Sequence, residues 1–435
     1  MSNIKSSSFS ASLDSLYQSP NSKLAVKEIP LALYIHIPWC VKKCPYCDFN
    51  SHELPVDSQL SMYDEYVDAL IRDAISQQPL AQGREIGSIF IGGGTPSLLP
   101  IAQYQRLFSS LREVFVFSDD IEVTMEANPG TLEHAPFAEY LKVGINRLSI
   151  GVQSFSAEQL KALGRIHNPD QALSAIKGAR SAGFERVNVD LMHGLPKQTL
   201  NEALYDITSA HDAGATHISW YQLTIEPNTV FYRSQPILPD EDDLADIEQA
   251  GQALLERLGY NNYEVSAWAG GADKLCRHNV NYWQFGDYLA IGAGAHGKVS
   301  INEETAQQLT NDNISSKAVQ GERIYRFSKS RMPKDYMEYQ DANQRGNGLI
   351  KAPKMVGLQA IASDELVSEF MLNALRLHDG VAWSLFEARS GLSVDSISIQ
   401  VNHLINQGLL IDSREQLQTT ALGRRYLNQI LRAFL

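Results

Sequence analysis

The feature that most constrains the fold of this 435-residue chain is a repeated pattern: a short, nearly all-apolar run followed by an amphipathic stretch. The first run is "LALYIHI" (31–37). After it, residues 58–77 place Leu60, Tyr63, Val67, Leu70, Ile71 and Ile75 at helical spacing. "SIFIGGG", "IEVTMEANPG", "NRLSIGVQS", "RVNVDLMHGLP" and "HISWYQLTIEP" are further strand candidates, separated by helical segments. Strands that are apolar on both faces and joined by helices form a parallel sheet covered on both sides. About six such units precede residue 230, fewer than the eight of a closed barrel. The expected fold is therefore α/β, a partial (β/α)6 barrel of the TIM type.

The unusual residues follow the strands. Cysteines come after "LYIHI", Gly92–Pro96 after "SIFI", Glu126–Pro129 after "IEVTM", Gln153 after "LSIGV" and Asp190–Pro196 after "RVNV". Polar and turn-forming residues at the C-terminal ends of parallel strands mark the active face of a barrel. Further on, "YNNYEVSAWA" leads into the Gly-rich "WQFGDYLAIGAGAHGKVS". From about residue 363 the texture changes to short helical segments, "DELVSEFMLNALRL", "SLFEARSG" and "SISIQVNHLINQGLL". The expected organisation is a Ser-rich disordered tail (1–28), a barrel with its extension (29–300), a connecting segment (301–362) and a small, mainly helical, winged-helix-like domain (363–435).

The formal net charge of −13 argues against nucleic-acid binding, which needs a basic face, so the C-terminal domain is read as structural or partner-binding. The N-terminal stretch has no apolar core of the kind a signal peptide carries. No apolar run approaches the roughly 18 residues of a membrane span. The expectation is a cytoplasmic protein whose membrane contact, if any, runs through a partner.

Three of the four cysteines fall within eight positions, as Cys40, Cys44 and Cys47 in C-x-x-x-C-x-x-C. So few thiols make no disulfide framework, and their clustering points to a metal in a reducing compartment. Structural zinc takes four ligands; here the fourth would be His36, Asp48, His52 or the distant Cys276. Thiolates are also the standard ligands of iron–sulfur clusters. Three of them on a [4Fe–4S] cube leave one iron without a protein ligand, and an open metal position is where a substrate binds.

This motif after a first strand, with the aromatic Tyr46 before its last cysteine and "GGGTP" (92–96) one βα unit later, resembles the radical S-adenosylmethionine (SAM) superfamily. The resemblance implies a [4Fe–4S] cluster on Cys40, Cys44 and Cys47, a one-electron donor, and SAM bound to the open iron and cleaved reductively to a 5′-deoxyadenosyl radical. "YIHIPWC", "GGGTP", "GVQSF", "LGRIHN" and "NVDLMHGLP", in this order over roughly residues 30–300, are similar to the oxygen-independent coproporphyrinogen III oxidases and their relatives. The SAM contacts this implies are Tyr34, Tyr46, Gly93, Gly94, Thr95, Glu126, Gln153, Arg165 and Asp190. Asp190 suits ribose hydroxyls and Arg165 a carboxylate.

Two branches of that group compete. The oxidases, which act in porphyrin biosynthesis, continue the motif with a further cysteine two positions on, and an ordered segment precedes their cluster. Here those places hold Phe49 and the Ser-rich tail. Both departures point to the HemW-type heme chaperones. "HNVNY" (278–282) matches the H-N-x-x-Y motif associated with heme in that branch, which makes His278 and Tyr282 the expected heme residues. Neutral imidazole is an ordinary axial ligand of heme iron. Cys276 and His296 are lesser candidates, and the glycines around His296 suit close packing at the barrel rim. The implied partners are heme and apo heme proteins, respiratory enzymes foremost.

Overall fold

The structure, a computed structural model, describes residues 24–55, 60–134, 136–271, 273–311, 323–338 and 355–435. Six parallel strands stand side by side in chain order: β1 (Leu31–Ile37), β2 (Ile86–Gly93), β3 (Phe117–Ala127), β4 (Arg147–Gln153), β5 (Arg186–His193) and β6 (His217–Gln222). Helices α1 (Leu60–Ala81), α2 (Ile101–Val114), α3 (Phe137–Val143), α4 (Pro169–Ser181) and α5 (Leu200–Ala213) join them. Helix α5 starts on a Thr199–Glu202 capping box and stops where Gly214 turns left-handed at φ 99°. The expected (β/α)6 arrangement is present.

Strand alternation divides the side chains between two environments. Leu33, Ile35, Ile89, Ile91, Val123, Met125, Leu148 and Ile150 are fully buried in the apolar core with helices α1 and α2. The opposite face is polar and aromatic. Register aligns Tyr34 with Phe90 and Thr124, and Glu126 with Ser149, Asn188 and His217. Burying each large aliphatic side chain of the first set is worth about 1.5–3 kcal/mol, which leaves the second set free to be chosen for chemistry.

The sheet does not stop at six strands. β7 (Tyr260–Asn262) and β8 (Ala267–Gly270) extend it antiparallel beyond β6. On the other flank, β9 (Asp287–Ile291) pairs parallel with β1. β10 (His296–Ile301), β11 (Arg323–Lys329) and β12 (Met355–Ala360) then follow antiparallel, giving twelve strands in one sheet among the described residues. Two strands therefore lie within the stretch expected to be only a connection (301–362). Buried ions fix them in place. Asp73 of α1 accepts hydrogen bonds from Lys329 Nζ at 2.5 Å and Tyr336 Oη at 2.7 Å. Asp287 sits between Arg84 (2.7 Å) and Lys298 (3.1 Å).

Helix α6 (Glu241–Arg257) packs on α5, and the short helix α7 (Arg277–Trp283) runs inside the sheet's concave face, against β1 and β2. The C-terminal region comprises α8 (Ser363–Ala374), α9 (Trp383–Ser390), α10 (Ser398–Asn406), α11 (Ala421–Arg425) and α12 (Leu427–Arg432). A two-stranded antiparallel pairing of Val381–Ala382 with Gln416–Leu417 accompanies them. Its core, around Phe370, Phe386, Leu404 and Ile430, continues onto Tyr263, Ala267 and Phe285 of the barrel. The expected N-terminal tail lies outside the described residues up to position 23. Its last residues form a 3-10 turn (Val26–Glu28) with Val26 buried. Among the described residues, no helix is long and apolar enough to cross a membrane.

Candidate functional site

β1 runs out at Ile37 and the chain enters the cysteine loop. Trp39–Cys40 pairs with His52–Glu53, which closes the loop at its base. Cys47 N–H donates to the carbonyl of Cys44 at 3.1 Å, making the turn that sets the last two thiols near each other. All four cysteines of the chain are free thiols, and the three in the loop are half-buried. Burial pushes the Cys40 and Cys47 thiols up, against hydrogen bonds from Thr95 to Cys40 and from Ser51 to Cys47. A bound cation would pull such thiols back to thiolates.

The glycine segment after β2 lies directly on this loop. Gly94 N–H donates to Ile37 O and Thr95 N–H to Trp39 O, both at 2.7 Å. A Cβ on Gly94 would stand 2.5 Å from Trp39 O, and one on Gly93 (φ 114°) would run into the His36 ring. Both positions need glycine because backbone and loop touch there. Gly93 N–H also donates to Glu126 Oε2 at 3.2 Å. Burial, and then the neighbouring Asp190, push the Glu126 carboxyl up to about 7. Near neutrality it is present in both forms, able to accept from an ammonium or donate to a carboxylate.

The remaining expected SAM residues gather at the same strand ends. Arg165 Nη1 points at Cys44 Sγ (3.6 Å), its Nη2 donates to Gly151 O, and its buried Nε has no partner among the described residues. Asp190 accepts from Ser149 Oγ at 3.0 Å and Asn188 Nδ2 at 2.7 Å, and burial raises its carboxyl. Gln153 holds a left-handed φ of 72°, and its Oε1 accepts from Tyr221 Oη at 2.8 Å. Strain of that kind persists where surrounding structure enforces it, often at binding sites. Tyr46 packs on Phe231. Tyr34 Oη is hydrogen-bonded to His36 Nδ1 at 3.0 Å.

A cavity of about 510 Å³ opens above this floor, lined among others by Tyr34, His36, Phe49, Glu126, Tyr282 and His296. Tyr282, on α7, is thus part of its wall. His278, one turn earlier, is not. It is buried, with its ring stacked on Phe90 at 5.0 Å and against Tyr282 at 5.0 Å. Its Nδ1 has no partner among the described residues, and burial holds the imidazole down to about 3, hence neutral. Below it, Glu122 accepts from the backbone N–H of Arg277 (3.1 Å) and His278 (3.3 Å) and from Arg186 Nη1 at 2.5 Å. Cys276 sits at this lower level, its Sγ 3.6 Å from Glu122 Oε1, far from the other thiols in role and setting.

Asn50 and Glu122 carry no motif that marks them in the sequence, and His36 stands out there only as a possible fourth zinc ligand. Asn50 is the hub of the loop: its Nδ2 donates to Ala293 O (3.0 Å) and Arg331 O (2.9 Å), while its own carbonyl meets His36 Nε2 at 2.9 Å. The available signal for His36 was parity, since it shares the inward face of β1 with Tyr34.

Comparison with known proteins bears on this arrangement. The radical SAM superfamily profile matches residues 34–208, and the HemN C-terminal domain profile matches residues 361–426. The heme chaperone HemW of Escherichia coli is 44% identical over 410 residues, covering 94% of this chain and 99% of that one. The heme chaperone HemW of Bacillus subtilis is 31% identical over 408 residues, covering 92% and 98%. The chain belongs to the HemW family of radical SAM proteins. A solved structure, that of the radical SAM enzyme coproporphyrinogen III oxidase (HemN) from Escherichia coli, superimposes with a TM-score of 0.73 at 26% identity, covering 94% of this chain and 91% of that chain.

Membership in the superfamily implies a [4Fe–4S] cluster and SAM, and the donors present fit them. Among the described residues no three His, Cys, Asp or Glu side chains are gathered closely enough to share one metal ion. A four-iron cube instead takes each thiolate on a separate iron, so its ligands stand farther apart than those of a single zinc. The partnerless Nε of Arg165, buried beside Cys44, suits an anionic group brought to the same place.

Proposed function

We propose that this protein is a heme chaperone: it binds heme and delivers it to apo heme proteins, respiratory enzymes foremost, from the cytoplasmic side. The observation that carries this reading is the 44% identity, end to end, with the HemW heme chaperone of Escherichia coli. Phe49, two positions after Cys47 where the oxidase motif has cysteine, supports it. Cys40, Cys44 and Cys47 hold a [4Fe–4S] cluster in this account, and a partner protein supplies single electrons. When bound, the cluster and SAM supply one-electron chemistry at the SAM sulfonium. The chain's own residues place the SAM: Gly93 and Gly94 give it backbone contact, Glu126 and Arg165 meet its amino-acid end, and Asp190 its ribose. Gln153 and Thr95 shape the pocket, with Tyr34 and Tyr46 as its aromatic walls. Tyr282, in the cavity wall, belongs to the heme side, and His278 packs behind it.

The competing reading is oxidative decarboxylation of a porphyrinogen, favoured by the likeness to the HemN structure. An anaerobic assay separates them. The reconstituted protein is mixed with coproporphyrinogen III, SAM and a strong one-electron reductant, with a known oxidase as positive control. No decarboxylated product is expected while the cluster stays intact. Catalytic turnover to product would sink the chaperone reading.

A further inference from the structure

We infer that His296, rather than His278, is the imidazole that meets the iron of a metalloporphyrin in the cavity, with Arg331 facing one of its carboxylates. This rests on the heme reading above and deepens it.

Two imidazoles, His36 and His296, line the cavity, His278 lies behind its wall, and each of the three has a different supply of ring nitrogens. His36 has none to give. Its Nε2 faces the Asn50 carbonyl at 2.9 Å and must carry the proton, so its Nδ1 accepts from Tyr34 Oη at 3.0 Å. His278 has a partnerless Nδ1, but its ring is 4% exposed and stacked between Phe90 and Tyr282. Iron cannot reach it without moving α7, whose first N–H groups are fixed on Glu122. His296 is exposed, lines the cavity and forms no hydrogen bond to any described residue. Its nitrogens are available to a ligand.

The backbone holds His296 in place. It is the first residue of β10 and pairs with Ser328 of β11. The glycines before it let the turn lie flat on the cysteine loop. A Cβ on Gly292 (φ 109°) would stand 2.4 Å from His36 O, and one on Gly294 (φ 78°) 2.2 Å from Asn50 Nδ2. Asn50 then ties Ala293 and Arg331 to the cysteine loop through the two hydrogen bonds given above. The histidine is therefore anchored to the same loop that carries the three thiols, across one shared cavity.

The rest of the rim suits a flat apolar ring with anionic edges. Phe49 lines it with 61% of its surface exposed. Arg331 also lines it, and its guanidinium pairs with no carboxylate among the described residues, whereas the neighbouring Lys329 is already bound to Asp73. A porphyrin propionate is a natural partner for such an Arg.

The test is an anaerobic hemin titration of the full-length parent, His296→Ala, His296→Gln and His278→Ala, read by Soret absorption and electron paramagnetic resonance. The parent is expected to bind saturably with an imidazole-ligated signature. His296→Ala and His296→Gln should lose that signature and roughly tenfold or more in affinity, and added imidazole should restore the spectrum of His296→Ala. His278→Ala, if it folds, should keep the signature. Parental affinity and spectrum in both His296 variants overturn the assignment while leaving the heme reading intact. No saturable binding by the parent overturns both together.

Discussion

Cys44→Ala is expected to abolish the iron–sulfur cluster outright, with iron and sulfide per chain falling to near zero after anaerobic reconstitution. Two thiolates cannot hold a cube that three hold with one iron already lacking a protein ligand. The change should spare the fold. Cys44 is half-buried, and its contacts there include the Arg165 guanidinium, the Tyr46 hydroxyl and the turn made by its backbone carbonyl. Cys40→Ala and Cys47→Ala should behave alike. Cys276→Ser is the internal control: that thiol is buried on Glu122 at the start of the strands, and the variant should retain a full cluster. A cluster of undiminished iron content in Cys44→Ala would remove the chemical basis for everything placed above it.

Glu122→Ala carries the second large effect, on stability. The Glu122 carboxylate is fully buried and binds Arg186, with Arg147 close by. It also takes the first two N–H groups of α7. Removing it leaves the helix N–H groups unsatisfied and the buried Arg147 guanidinium without the carboxylate beside it, while Arg186 keeps Asp273, a loss of about 3–5 kcal/mol. Chemical denaturation should show the shift, and Glu122→Gln should cost less because it can still accept from the helix. Burial pushes the Glu122 carboxyl up, but Arg147 and Arg186 together hold it below its ordinary value. The stabilisation is therefore complete above the ordinary carboxylate range and is lost as pH falls through the depressed value. A difference between parent and variant that persists unchanged in strong acid would contradict this account of the pair.

The strands and the motifs that follow them were legible because each leaves a local mark. β1 to β6 are continuous apolar runs, and the cysteines, Gly93–Thr95, Glu126, Gln153 and Asp190 stand directly after them. The structure brings all of these together at one end of the sheet. β11 was harder to see. "RIYRFSK" carries charge at both ends, and its place depends on Lys329 finding Asp73 in α1, a contact across 256 positions. Nothing within a local window records such a partner. The same holds for His278. Its motif was visible, but its burial behind Phe90 depends on α7 threading into the barrel, and that depends on Glu122, more than 150 positions earlier. Asn50 leaves no local mark, and its role as hub appears only when the Gly-rich turn at 292–294 lies against it.

The most direct test of the chaperone account is heme transfer. The full-length protein is loaded with heme, freed of excess and mixed anaerobically with an apo heme protein, with the acceptor's Soret band and activity followed over time. The account predicts that the acceptor gains heme and activity as this protein loses heme, faster than from free heme at the same concentration. Heme that stays bound, or that reaches the acceptor no faster than free heme does, would contradict it.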